Sequence, residues 1–496
     1  MQRDPLPLLL AFRQNVYDAL GPRRDTLFEL LDALTSAGAV PSLAQVSLAA
    51  AHRRGHGSRY RALAHTGLDE QTLRQEVLGT MVDTPFPDAG TPPVQVYALD
   101  VRVWPRPDAV TSAERGSCHA ARQTRGHHAG QPVVGGWRSH WLAQLGGAAD
   151  RWTAPVEVAR VPPHATANQV AVEQIVRLRR AACDAPTPRA AGGAAGAVPR
   201  QLVVCDAGDD AVQLTLGLAQ ALGCAAQEVA AQEVGLLVRV RADRCCSADP
   251  DPATGKATGR PRRHGHPQRC ADPTTWQPPT ATYATTDPQY GAVPVQAWSG
   301  LHGMPRDHAG RGRRDRHGTV PVVRGTLLRV CVERLPGHHA AHPPTPLWRW
   351  WSGDAGAGDG ARDGNGAVPT LALLWRASLR RFALEQTLRF LKQARNGTRP
   401  HRRTPAQADR WSWLVLLADT HLRVARGRVV EHRLPWERPL PPDRLTPGRV
   451  QRAFSTVLPP VGTPAHAPKR RGRSPGRPPG RRSPPAVRYP VVKKTA

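Results

Sequence analysis

Acidic side chains are in short supply in this sequence of 496 residues: 39 Asp and Glu face 68 Lys and Arg, a formal net charge of +29. A surplus of that size calls for a polyanionic partner, of which nucleic acid is the commonest, although a ribosomal site or a membrane surface could also supply it. Long apolar runs are missing too. None reaches the roughly 18 residues that a bilayer span requires, and the short apolar patch before Leu10 carries no cleavage signature. The expected location is cytoplasmic, associated with the nucleoid. Paired thiols are the third absence. None of the eight cysteines (Cys118, Cys183, Cys205, Cys224, Cys245, Cys246, Cys270, Cys331) forms a CxxC, which argues against a disulfide framework and for scattered reduced thiols. Lysine is scarce beside arginine, alanine and proline, a GC-rich codon bias that weakens any argument from arginine count alone. No repeat of fixed period occurs.

What is abundant is proline and glycine, at 50 and 45 residues, concentrated in a few stretches that read as loops and tails, while 40% hydrophobic residues suffice to bury a core. A chain this long exceeds one ordinary core, so two or three units are expected. Residues 1–90 read as a helical DNA-binding domain. Helical spacing runs through Thr26–Leu34, a second helix is expected at Ser42–Ala51 with Ser42 as its N-cap, and a third at Asp69–Met81. A basic hinge (His52, Arg53, Arg54, Arg59, Arg61) follows the second, a pattern equally suited to a helical bundle with a solvated basic face. Residues 91–242 switch to strands at Val94–Asp100, Pro132–Leu145 and Trp152–Val161. A helix at 167–182, a linker at 184–199, a strand at Gln201–Asp206, a helix at Ala211–Leu222 and a strand at Gly235–Val240 complete the order. That succession is the one expected of an RNase H-like α/β core. Residues 243–367 interrupt it as a β-rich, loop-rich insertion, with β-like pieces at Thr282–Trp298 and Val320–Leu335 and a loop at Gly353–Gly366. Residues 368–430 return to the core with helices at Leu371–Ala394 and Pro405–Arg426. Residues 431–496 read as a disordered basic low-complexity tail.

Asp100 and Asp206 each close an apolar run, and Glu385 sits in a helix among Phe382, Leu384, Leu388 and Leu391. Acids at strand ends beside a helix-borne acid are what two-metal phosphodiester chemistry needs, because two ions must clamp the attacking and leaving oxygens. Magnesium suits such hard oxygen ligands.

With those acids in that order, the sequence resembles the DDE insertion-sequence transposases that carry a β-rich insertion before the last acid and a Y-x2-R-x3-E-x6-K signature. Here the signature reads Ser378, Arg381, Glu385 and Lys392. The surrounding words Tyr97–Val101 with Trp104-Pro105, Asp206-Ala207-Gly208, Leu374-Trp375-Arg376 and Ala408–Trp411 match as well, so the likeness spans roughly residues 10–425. It implies a cut-and-paste DNA transposase. Asp100, Asp206 and Glu385 would be catalytic and would hold two Mg2+ ions, with Mn2+ as a substitute. Arg376, Arg381 and Lys392 would bind DNA, and the partners would be double-stranded element ends and target DNA, met as a homodimer. Spacing alone puts 378, 381, 385 and 392 on one helical face. Two departures stand out: Ser378 replaces the signature's Tyr, and Asp209 takes a place where an aromatic is usual.

Weaker signals point elsewhere. Cys245, Cys246, His264, His266 and Cys270 lie close in sequence but not at a zinc spacing. Gly259–Arg263 and Gly476–Pro478 read as phosphate-binding basic words. Trp348, Trp350 and Trp351 suit either base stacking or the packing of a small β-domain. Asp108, Glu114 and Asp210 read as surface or capping residues. The alternative function is a catalytically inactive DNA-binding remnant or repressor; an RNase H-fold nuclease or resolvase without strand transfer is a third.

Overall fold

The structure, a computed structural model, describes residues 5–38, 42–81, 86, 94–119, 132–147, 152–184, 200–226, 229, 234–251, 264–303, 322–336, 344–354, 362–363, 366–367, 370–394, 397–398, 400–469, 480 and 485–492. The linker after 184, the words 259–263 and 476–478, most of the loop 353–366 and the basic run after 469 lie outside them.

The chain opens with five helices: α1 (Pro5–Asp18), α2 (Arg24–Ser36), α3 (Leu43–Val46), α4 (His56–His65) and α5 (Glu70–Gly79). Ser42 does cap α3, accepting from the Gln45 amide, and Asp69 caps α5 through the Thr72 amide. The helix expected over 42–51 is only one turn long, because the chain breaks into turns from Ser47. The basic hinge is turned inward only at His52 and Arg59, while Arg53 and Arg61 stay exposed. Arg59 is fully buried and His52 nearly so, while Arg53 and Arg54 pair with Glu29 and donate to the carbonyls of Ala465 and His466.

Next come β1 (Val94–Pro105), β2 (Gly116–His119), β3 (Val133–Leu145), β4 (Thr153–Val161), α6 (Ala167–Asp184), β5 (Arg200–Cys205), α7 (Ala211–Leu222) and β6 (Val234–Val240). Strands β4, β3 and β1 form an antiparallel meander; β1, β5 and β6 run parallel. Parallel neighbours need crossovers, which α6 and α7 supply. Side chains alternate along the strands as the pleat requires. Tyr97, Leu99, Val203 and Cys205 pack under α6 and α7. Val96, Ala98, Leu202 and Val204 face the opposite layer.

Six strands of the insertion follow: β7 (Cys245–Ser247), β8 (Pro267–Arg269), β9 (Ala281–Asp287), β10 (Gly291–Gly303), β11 (Val323–Val330) and β12 (Leu347–Trp351). They continue the same sheet, since β12 pairs antiparallel with β6 and the order runs β2-β3-β1-β5-β6-β12-β11-β10-β7-β8, with β4 on β3 and β9 on β10. Trp348, Trp350 and Trp351 are 5%, 2% and 1% exposed, so they pack the seam and offer no stacking platform.

The opposite layer consists of α8 (Leu371–Arg380), α9 (Phe382–Ala394) and α10 (Pro405–Ala425). The single helix expected over 371–394 is therefore two, divided at Arg381. Helix α10 is buried nearly all round, including its polar Ser412, Asp419, Thr420 and His421. Strand residues pack on one side of it, and Phe12, Leu27, Phe28, Leu31 and Leu34 of α1 and α2 on the other. The N-terminal helices thus share a core with the sheet layer rather than standing apart.

The disordered tail expected over 431–496 is corrected in part. Helices α11 (Pro447–Ala453) and α12 (Leu458–Val461) follow α10. Val450, Phe454 and Val457 recur at helical spacing and, with Leu445 ahead of them, bury against Leu9, Leu422 and Trp152. Further on, Tyr489 and Val492 bond to the backbone at Val110 and Arg115 beside β2. Among the described residues no helix is long and apolar enough to cross a membrane.

The junction of core and insertion yields a test. A Cβ at Gly235 would overlap the ring of Trp351 across the β6–β12 seam. Gly235→Ala should destabilise the protein by about 1–3 kcal/mol, read as a lower urea midpoint by tryptophan fluorescence. An unchanged midpoint would mean that the seam is loosely packed.

Candidate active site

Strands β1 and β5 lie side by side with Ala98 opposite Val204. The same register places Asp100 level with Asp206, which follows the last residue of β5. Contrary to the sequence reading, Asp100 does not end its strand but sits within β1, opposite Trp141 of β3. Both acids emerge where β1 has an antiparallel neighbour on one side and a parallel one on the other. Beyond this level the chain leaves β5 by the crossover through α7 while β1 runs on beside β3, so the two strands part there and leave a crevice.

Glu385 reaches the same crevice from the first turn of α9. What joins the acids is Arg381, at the break between α8 and α9. Its guanidinium lies 2.8 Å from Glu385 Oε1, 3.4 Å from Asp100 Oδ1 and 3.6 Å from Asp206 Oδ2. The Arg381 side chain is 2% exposed, whereas those of Asp206 and Glu385 are 35% and 42% exposed. Arg102 (3.0 Å from Asp100) and Arg239 (3.6 Å from Asp206) complete the charge balance.

These contacts separate the two aspartates electrostatically. Burial pushes the Asp100 carboxyl above its ordinary range, against the pull of Arg102 and Arg381, and the neighbouring Asp206 and Glu385 push the same way. Asp206 is also raised by burial, but Arg381, the Ala207 amide, Arg239 and Arg349 outweigh that and hold it below the ordinary value. Arg381 itself is raised: burial disfavours its charge, but Asp206, Asp100 and Glu385 more than compensate.

The oxygen-only donor set suits a hard divalent cation, and the buried Asp206 Oδ1 has no hydrogen-bond partner. In the present arrangement the carboxylates surround Arg381 rather than a common point. Among the described residues no group of three or more His, Cys, Asp or Glu is placed to hold a metal ion. That holds for the cysteine–histidine group of the insertion too, where His264 instead hydrogen-bonds His302 at 2.8 Å.

The remaining signature residues are arranged less simply. Ser378 is fully buried on α8, its hydroxyl donating to the Leu374 carbonyl. Lys392 lies half-buried on α9, two turns beyond Glu385, and Arg376 donates to the Ala372 carbonyl. Asp209 is 7% exposed and 3.8 Å from the buried His140. Asp210 caps α7, and Glu114 pairs with Arg160.

Sequence reasoning missed Arg349. It lies within β12 and is 1% exposed, donating to the carbonyls of Cys205 (3.2 Å) and Ser378 (3.1 Å). It therefore ties the residue before Asp206 to the helix that ends at Arg381. Burial, with Arg381 and Arg239 nearby, lowers its pKa to about 9. The signal was an arginine inside a run of tryptophans, a charge that only a buried partner set explains.

The family described as DDE superfamily endonuclease matches residues 15–304, a span that includes Asp100 and Asp206 and ends before Glu385. No curated protein matches the chain.

Arg349→Met would strip both carbonyls of their donor, and each buried carbonyl left unpaired costs about 1–3 kcal/mol. Urea denaturation should show a loss of about 2–6 kcal/mol for the two together. Arg349→Lys should recover little of it, since one ammonium cannot fork to two carbonyls as a guanidinium does; full recovery by Lys would show that charge alone matters.

Proposed function

The chain belongs to the DDE superfamily of endonucleases, and on that footing we propose that it is a DNA transposase that cuts at the ends of its own element and joins them to target DNA. The observation that supports this most is the convergence of Asp100, Asp206 and Glu385 on one buried arginine at the switch point of the sheet.

DDE endonucleases act on DNA and generally use divalent metals. In this reading Asp100, Asp206 and Glu385 hold two Mg2+ ions, which supply Lewis acidity at the scissile phosphate and its nucleophile when bound. The rest falls to the chain's own side chains. Arg381, Arg102 and Arg239 neutralise the acids in the absence of DNA, and a phosphodiester brings negative charge that can draw the two accessible ones, Arg102 and Arg239, off the carboxylates. Asp206, held below the ordinary carboxylate range, and Asp100, raised above it by burial, would both serve as ligands, and positive charge nearby favours the ionised form of each. Lys392 and Arg376 extend the cationic surface along the two helices for the flanking backbone. The surplus of positive charge over the chain favours encounter with DNA of any sequence. Terminal repeats would be recognised in a homodimer that pairs two ends.

A second reading has its own support. Carboxylates closed on Arg381, with no metal-ready cluster among the described residues, also suit a DNA-binding remnant or repressor that does not cut.

One experiment separates the two. Purified protein is incubated with a plasmid carrying the gene and its native flanks, with and without Mg2+. The transposase reading expects cuts at the flank ends that require the metal and vanish in Asp206→Asn, Asp100→Asn and Glu385→Gln while DNA binding persists. Binding without cutting by the unaltered protein would select the remnant.

A further inference from the structure

Next to the acids lies a second opening, which the proposed metal ligands do not line. It is a cavity of about 550 Å³ between the start of α6, the start of α7 and the ends of β5 and β6. That volume falls within the roughly 300–1,000 Å³ of small-ligand sites. Arg138 from β3 and Arg239, Arg241 and Arg244 from the end of β6 and beyond supply four guanidiniums to its wall.

Two of the four already have partners: Arg239 faces Asp206 at 3.6 Å, and Arg244 faces Asp210 at 3.3 Å. The side chains of Arg138 and Arg241 form no ion pair or hydrogen bond among the described residues, and Arg241 is exposed. The wall behind them is preformed. Asn168 on α6 donates to Gln213 on α7 and accepts from the Asp210 amide, which fixes the two helix starts together. The opening amides of α7 are taken by Asp210, so an anion here gains nothing from that helix start and meets its positive charge in the guanidinium groups.

Two features indicate the class of anion. Arg239 is shared between this cavity and Asp206, so an occupant would abut the catalytic crevice. Asp209, Asp210 and Asp243 also line the wall, which leaves little net charge to attract a small free anion. A phosphodiester strand anchored on either side would be held by two unpaired guanidiniums without needing a strong local field. We propose that this cavity is a strand-binding subsite for the DNA backbone beside the scissile phosphate, with Arg138 and Arg241 as its phosphate ligands. The assignment rests on the endonuclease reading for its position relative to the cut, but not for the binding itself.

Salt dependence tests it. Each phosphate contact adds about 0.7 (single strand) to 0.9 (duplex) to the slope of log K against log salt. Full-length protein is titrated without metal against fluorescently labelled single-stranded and duplex oligonucleotides over a range of salt. The Arg138→Ala/Arg241→Ala double variant should show a slope shallower by about 1.4–1.8, two contacts' worth. Arg433→Ala/Arg438→Ala, at exposed positions remote from the cavity in sequence, removes the same charge and should leave the slope unchanged. An unaltered slope in the first double variant overturns the subsite, as does an equal fall in both, which would mean bulk charge only. Competition by millimolar deoxynucleoside monophosphate or inorganic phosphate as effective as that by an oligonucleotide would also overturn it, in favour of a small-anion site. A reduced slope in a protein that never cuts DNA would sustain the subsite and sink the endonuclease reading. Normal cutting with an unchanged slope would do the reverse.

Discussion

A guanidinium buried among three carboxylates constrains most of what surrounds it. Removed from water, Arg381 would be prohibitively costly alone, and so would three acids gathered at one crevice; each justifies the other. The pairing needs parts from distant places in the chain: Asp100 from β1, Asp206 from the end of β5, and Arg381 with Glu385 from the layer across the sheet. Dividing the helix at Arg381 is part of the same arrangement. Arg381 ends α8 with its amide still bonded to the Ala377 carbonyl, and its own carbonyl accepts from Leu384 as α9 begins. Arg349 adds a second buried cation behind the first and holds the two carbonyls that fix where Asp206 and Ser378 can be.

Much of this was legible in the residues. The alternation in Val94–Leu99 and the apolar run Gln201–Cys205 announced strands, and the order of strands and helices announced a mixed α/β sheet that fits an RNase H-like fold. Local signals also located Ser42 as a cap, and left Asp210 as a surface or capping residue. Long-range packing was not legible. Nothing local says that Asp100 lies within a strand rather than at its end, because β1 continues through the polar Arg102 by pairing with β3. Leu371–Ala394 keeps helical periodicity through Arg381, so the break depends on tertiary contacts. In the proline-rich stretch after 431, composition suggested disorder, yet four apolar residues were enough to seat it on α10. The three acids and Arg381 were readable as candidates, but Arg102 and Arg239, which also balance the acids, were not, since a codon-biased sequence offers arginines everywhere.

The insertion also reads differently once seen as sheet. Its strands do not hang from the core by loops; β12 occupies the edge that β6 would otherwise expose, and β11 and β10 extend it. An open parallel edge invites pairing with other chains, and the insertion moves that edge outward to the short strands β7 and β8, which offer less to pair with. The same strand delivers Arg349 to the crevice, so insertion and site are mechanically one piece.

The contacts between early and late residues have a consequence for how the protein is made. Arg13, besides its pair with Asp32, donates to the carbonyl of Gly462, 449 residues later, and Arg53 and Arg54 hold the chain at 465 and 466. At about 5–20 residues per second, synthesis separates those partners by roughly 20–90 s. During that interval the first helices lack both α10 and the segment that closes over them. A nascent chain therefore completes its first bundle nearly last, and ribosomes that stop early release products with an exposed apolar face, fit for proteolysis rather than for DNA.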